Sequence, residues 1–142
     1  MALFDGLDRS ELIRKALSVQ KHSYAPYSQF HVAAAVLCDS GKIYTGVNME
    51  NASFPAGTCA ERNAIAHAIA EGEKKIRAIA ITGGKNGDNH TYCSPCGICR
   101  QVMREFGDPD QVLVIMAKNP EDYVERTLEE LLPCSFGPED LG

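Results

Sequence analysis

No apolar run in this sequence reaches the roughly 20 residues that a membrane-spanning helix needs, so no such span is expected. The opening residues, Met1-Ala2-Leu3-Phe4-Asp5, have neither a basic start nor an apolar core of signal-peptide length. Export is therefore not expected, and a cytoplasmic location is the default expectation. Basic residues are in the minority, with 14 Lys and Arg against 19 Asp and Glu and a net charge of −5. Tight binding to a long nucleic acid usually draws on a basic surface, and that class of partner is not expected. Internal repeats and linker-like stretches are also missing, so residues 1–142 are read as one domain. Six cysteines without an export signal point to metal binding or catalysis, not to a disulfide framework.

What is present fits a soluble globular chain large enough for a hydrophobic core, with 44 % hydrophobic and 23 % charged residues. Asp8 with Glu11 has capping-box spacing. Leu12, Ile13, Ala16 and Leu17 follow at helical spacing, predicting a first helix over about residues 8–22. Tyr24-Ala25-Pro26-Tyr27-Ser28 ends it. Phe30 to Cys38 reads as a buried strand, although its three consecutive alanines are poor strand formers. Asp39 to Lys42 is a turn, and Ile43 to Met49 returns as the second arm of an antiparallel hairpin. A helix is predicted from Thr58 to a stop at Gly72, and Ala78 to Thr82 is a third strand. Ser94 and Pro95 read as N-cap and first residue of a helix ending near Phe106 and Gly107. Val112 to Met116 is a fourth strand, Tyr123 to Thr127 a short edge strand, and Leu128 to Leu132 a last short helix before a weakly structured tail. The order predicts an α/β fold: one mixed sheet of five strands with helices on both faces.

The chemistry gathers in two stretches. Thr58-Cys59-Ala60-Glu61-Arg62 offers a thiolate and a carboxylate two residues apart, and Pro95-Cys96-Gly97-Ile98-Cys99 offers two thiolates one helical turn apart. Helix N-termini favour thiolate over thiol. Three protein ligands (Cys59, Cys96 and Cys99) leave the fourth position of a tetrahedral zinc open for water, and Glu61 is placed to move that water's proton. Arg62 is assigned an electrostatic role, offsetting part of the thiolates' negative charge. Two plainer readings compete. Thr58 and Glu61 also have capping-box spacing, in which case Glu61 satisfies a backbone N–H. Cys93, His67 or His90 could complete a closed structural zinc site.

With these residues in view, the chain resembles the cytidine deaminases of the small, homotetrameric kind. The likeness rests on Tyr24-Ala25-Pro26-Tyr27-Ser28 with Phe30, Gly46-Val47-Asn48-Met49-Glu50-Asn51-Ala52, Cys59-Ala60-Glu61-Arg62, and Ser94-Pro95-Cys96-Gly97-Ile98-Cys99-Arg100-Gln101. The last two stretches match the zinc-deaminase signature. The resemblance implies a three-layer α/β/α fold and one Zn2+ per chain on Cys59, Cys96 and Cys99. It implies hydrolysis of cytidine and 2′-deoxycytidine to uridine and 2′-deoxyuridine with release of ammonia, in pyrimidine salvage. Zinc-activated water attacks C4 and Glu61 shuttles protons. It implies further that Asn48 and Glu50 bind a ribose hydroxyl, that Phe30 packs against the base, and that Ala60 and Ser94 contact the base or reacting groups through the main chain. Phe54 and Phe136 resemble aromatics that reach a neighbouring subunit's site. Taken alone, Phe30 reads as strand core and Phe136 as a loose tail residue.

Two other functions are compatible with these residues. A related deaminase could act on a nucleotide, a polynucleotide or a nucleoside antibiotic. The acidic balance offers no basic track for a polynucleotide. A non-catalytic structural zinc module would require a fourth protein ligand in place of the open position.

Overall fold

The computed structural model describes residues 4–142; Met1 to Leu3, part of the stretch read for an export signal, lie outside the described residues. Five strands form one mixed sheet: β1 (Phe30–Cys38), β2 (Ile43–Val47), β3 (Ile76–Lys85), β4 (Leu113–Asn119) and β5 (Asp122–Thr127). Their order is β2-β1-β3-β4-β5. Only β3 and β4 run parallel; the other neighbours are antiparallel. Helix α1 (Arg9–Val19) covers one face, and α2 (Ala60–Ala70) with α3 (Gly97–Phe106) covers the other. The short α4 (Leu128–Leu131) closes the chain's last strand. The expected mixed sheet with helices on both faces is what forms. Among the described residues, no helix is long and apolar enough to cross a membrane.

The three alanines of β1 explain the layering. Side chains alternate across a strand, so Ala33 and Ala35 face α1 while Ala34 and Val36 face α2 and α3. All are wholly buried. Their poor strand propensity is outweighed because the strand is covered on both faces, where small side chains let helices approach. Gly46 marks the tightest approach: a Cβ there would sit 2.3 Å from the Ala64 amide nitrogen of α2. Ile79 and Ile81 on β3 and Val114 on β4 fill the space above the alanines on the α2 face. Each such burial contributes about 1.5–3 kcal/mol.

Several boundaries differ from expectation, for local reasons. Asp8 does cap α1, accepting from the Glu11 amide at 3.0 Å, but α-helix ends at Val19 and a 3-10 turn completes residues 20–22. β2 stops at Val47, two residues early: the Asn48 amide still reaches its register partner Val32, but the Val32 amide returns to the Asn48 side chain and the Asn48 carbonyl is taken by the Tyr24 amide. α2 begins at Ala60 with Cys59 as N-cap, not at Thr58; the Thr58 amide and carbonyl are both taken by Met49, each at 2.9 Å. β3 runs on through Gly83 and Gly84 to Lys85. The loop after it folds back so closely that a Cβ on Gly84 would lie 1.7 Å from the Asp88 carbonyl oxygen. α3 starts at Gly97 with Cys96, not Ser94, as N-cap.

The tail is not weakly structured. Residues 138–140 form a 3-10 turn, and the segment docks on α3. Arg104 reaches Ser135 Oγ at 2.8 Å and pairs with Glu139, and Gln101 Nε2 donates to the Phe136 carbonyl at 2.9 Å.

Candidate active site

Two helices deliver the sulfurs. Cys59 is the N-cap of α2 and Cys96 the N-cap of α3, both in extended backbone, and neither side chain caps its own helix. Their carbonyls accept the first helical hydrogen bonds, from Asn63 at 3.1 Å and Arg100 at 3.0 Å. Cys99, the third residue of α3, rises one turn above Cys96. The sulfurs of Cys59 and Cys96 are 3.8 Å apart and those of Cys96 and Cys99 3.4 Å. All three lie within 4.8 Å of one another.

That spacing fits a metal ion. Zinc holds sulfur at about 2.3 Å, so two ligands of a tetrahedral ion stand about 3.8 Å apart. Among the described residues the cluster contains no fourth protein donor. Cys93, the expected competitor, is packed against Gly83 of β3, and burial pushes its thiol up to about 12. His67 Nδ1 lies 3.2 Å from the Thr45 carbonyl oxygen, and His90 is exposed beside Asp88. The donor set is therefore three soft thiolates with one open direction, which suits catalytic zinc better than a closed structural site.

The electrostatics divide the sulfurs. Hydrogen bonding from Cys99, helped by Arg62 and Cys96, pulls the Cys59 thiol down to about 5 against the opposing effect of burial. The same pairing, with burial, holds the proton on Cys99. Arg62 Nη2 donates to Cys59 Sγ at 3.4 Å, while its Nε is buried without a partner among the described residues. Glu61 is 3 % exposed. Burial is the main reason its carboxyl is pushed up to about 7; the Cys59 charge adds to this and Arg62 opposes it. A divalent ion on the sulfurs would act with Arg62. The capping-box alternative for Glu61 is not realised, since the Thr58 amide already donates to Met49.

The cluster opens into a cavity of about 350 Å3. Cys59, Cys96, Ala60 and Glu61 form its floor, and Phe30, Asn48, Glu50 and Ser94 stand around it. Phe30 is thus a wall of the cavity and not only strand core. Asn48 and Glu50 follow the end of β2. Asn48 Oδ1 accepts from the Val32 amide at 3.0 Å and from the Ser23 hydroxyl, and its Nδ2 donates to the Phe30 carbonyl at 2.8 Å. Glu50 Oε1 accepts from the amides of Tyr27 at 2.9 Å and Ser28 at 3.1 Å, and Oε2 accepts from the Ser28 hydroxyl. These bonds, the Ser28 hydroxyl first, hold the Glu50 carboxyl below its usual range.

Phe54 lies outside the cavity, 74 % exposed, with its ring tilted against Tyr27 at 5.8 Å. It lines a second depression that shares Ser28, Glu50 and Gly57 with the first. Phe136 lines neither depression and stays 57 % exposed on the docked tail. Within one chain these two aromatics are not brought together.

Three contributors carried no assigned role in the sequence. Ser28 holds Glu50, and Ser23 holds Asn48. Arg100 ties the Ser94 hydroxyl (2.8 Å), the Pro95 carbonyl (2.8 Å) and the Leu131 carbonyl (2.7 Å) into one cluster. Ser28 and Arg100 stand inside the resembling stretches; Ser23 lies just before one, and nothing in its local spacing marks it.

Comparison with known proteins gives a consistent family. The cytidine and deoxycytidylate deaminase zinc-binding region matches residues 8–116. A cytidine deaminase of Halalkalibacterium halodurans is 40 % identical over 135 residues, which is 95 % of this chain and 98 % of the relative. The crystal structure of a cytidine deaminase from Burkholderia pseudomallei is similar with a TM-score of 0.80 at 39 % identity, covering 89 % of this chain and 97 % of that one. A cytidine deaminase structure from Mycobacterium tuberculosis gives a TM-score of 0.78 at 35 % identity, over 92 % and 98 % of the two chains.

Proposed function

Because the chain belongs to the cytidine and deoxycytidylate deaminase family, we propose that it hydrolyses cytidine and 2′-deoxycytidine to the corresponding uridines. The observation that carries the reading is a three-thiolate cluster opening directly into a cavity that also holds one buried carboxylate. Cys59, Cys96 and Cys99 would hold the zinc, which supplies Lewis acidity and makes water nucleophilic near neutral pH.

The reaction forms a C4–O bond, breaks the C4–N bond and releases ammonia. The chain's part is to place the ring and to move protons. Glu61 takes a proton from the attacking water and delivers it to N3 of the pyrimidine. It then takes the second proton from the new C4 hydroxyl, as the carbonyl forms, and passes it to the amino nitrogen as that group leaves C4. Such a shuttle needs a carboxyl within hydrogen-bond reach of both partners, and Glu61 lines the same cavity as Cys59 and Cys96. The main chain at Ala60 and Ser94 orients the base, and the Phe30 ring packs beside it. Asn48 and Glu50 take a ribose hydroxyl. Glu50 accepts strongly as a carboxylate, and its charge disfavours a phosphate at that point, which favours a free nucleoside over a nucleotide. Arg62, bonded to Cys59, offsets part of the thiolate charge.

The reading extends to a single-domain chain that assembles as a homotetramer in the cytoplasm, in pyrimidine salvage. Exposed Phe54 and Phe136 then reach toward a neighbouring subunit's site.

Conversion of cytidine to uridine by zinc-loaded protein, followed by ultraviolet absorbance, is the direct test, with Glu61→Gln run in parallel. The expected outcome is turnover by the wild type, and a variant that keeps its zinc but loses about 100- to 10,000-fold in kcat. No turnover of cytidine or deoxycytidine by folded, zinc-loaded wild type would overturn the reaction. Full activity in Glu61→Gln would remove Glu61 from it.

A further inference from the structure

Asn48 is held so firmly that its chemistry toward a substrate is decided before any substrate arrives. Two backbone partners fix which end of its amide is which. The Phe30 carbonyl only accepts, so it must face Nδ2; the Val32 amide only donates, so it must face Oδ1. A third contact, from Ser23 Oγ, also lands on Oδ1. Because that oxygen cannot donate, the Ser23 hydroxyl must give its hydrogen to it. Ser23 Oγ is then left as an acceptor, and His31 Nδ1 stands 2.9 Å from it. The same logic puts a hydrogen on His31 Nδ1. Polarity therefore runs one way, from His31 to Ser23 to Asn48.

The backbone holds Ser23 where this requires. Its amide donates to Gln20 at 3.1 Å, and the next residue is stitched to the Asn48 strand end on both sides. The Tyr24 amide donates to the Asn48 carbonyl at 3.1 Å, and the Glu50 amide donates to the Tyr24 carbonyl at 2.9 Å. His31 is half-buried on β1, with its carbonyl held by Gln20 Nε2 at 3.1 Å.

We propose that Ser23, supported by His31, is a positioning residue that saturates the Asn48 oxygen and leaves Asn48 only one group to offer the cavity, the second N–H of its amide. Glu50 beside it offers only acceptors. One donor and one acceptor side by side are complementary to a single hydroxyl, which accepts from Asn48 and donates to Glu50. Ser23 thereby contributes to selecting a sugar hydroxyl, without touching the sugar. This inference rests on the nucleoside deaminase reading above.

The test is steady-state kinetics of wild type, Ser23→Ala, Ser23→Thr and His31→Leu on cytidine and on its 2′-deoxy, 3′-deoxy and 5′-deoxy forms. Zinc content and thermal unfolding are measured alongside. Ser23→Ala is expected to raise KM for cytidine about 3- to 10-fold with kcat little changed, the pattern of lost uniform binding. Ser23→Thr, which keeps the hydroxyl, is expected to restore KM, and His31→Leu to give a smaller rise than Ser23→Ala. The sharper readout is a substrate cycle. The deoxy form that costs wild type most should cost Ser23→Ala less, because the Asn48 amide is no longer fixed against that hydroxyl. An unchanged penalty, or a fall in kcat with KM intact, in a variant that folds and binds zinc would overturn the proposal. Absence of cytidine turnover in the wild type would instead overturn the deaminase reading on which it rests.

Discussion

The two sides of the cavity are built on different principles. On the sulfur side, backbone geometry does the placing: each ligating atom belongs to the first turn or cap of a helix, and the helix fixes the distances. On the polar side, Asn48 and Glu50 sit on irregular chain after β2. They are aimed by hydrogen bonds from residues 25 and 22 positions away, Ser23 and Ser28. A site made by helix geometry leaves a spacing in the sequence. A site made by side chains reading distant turns leaves none.

The sulfur side should fail outright. Cys99→Ala removes one of three ligands, and zinc content by elemental analysis is expected to drop from about one per chain to near zero, with activity lost together with it. The polar side should fail by degrees. Glu50→Gln replaces a charged acceptor by a neutral one, and loss of charge-assisted hydrogen bonding is expected to lower kcat/KM about 10- to 150-fold with zinc retained. A Glu50→Gln protein that lost its metal would show that the two sides are one structural unit.

Ser28→Ala is the gentlest break, about 3- to 10-fold in kcat/KM, and its pH profile carries the information. The Ser28 hydroxyl is the largest influence holding Glu50 below its usual carboxyl range. Removing it lets that pKa rise toward the ordinary carboxyl range. In the proposed role of Glu50 it is the ionised form that binds, so activity is expected to fall as pH drops through the folded-state pKa. The acid limb of kcat/KM should therefore move to higher pH in Ser28→Ala. An acid limb that stays in place would separate Glu50 from that titration.

The same division explains what could be read from sequence. Cys-x-Glu and Cys-x-x-Cys announced the metal cluster because their spacing is its geometry. β1 and β4 were legible as apolar runs, and the hairpin from its short turn. The starts of α2 and α3 were read two residues early because Thr58 and Ser94 are the better capping residues by type. The structure uses Cys59 and Cys96 there, with Thr58 drawn into a backbone pair with Met49. The docking of the tail was invisible because Arg104 and Glu139 are 35 residues apart. Asn48 and Glu50 could be assigned only by resemblance, and Ser23 not at all, since its partner lies across the sheet end.

The two ligating stretches are also far apart along the chain, with Cys59 and Cys96 separated by 37 positions. Closing a loop of that length costs about 3 kcal/mol of chain entropy. The loop contains α2 and the whole of β3, the middle strand of the sheet. An ion gripped from both ends makes that loop a closed ring, so the metal is a tether in the polymer sense as well as a reagent. Its ligation energy becomes folding energy, and the protein's resistance to heat should follow its metal content.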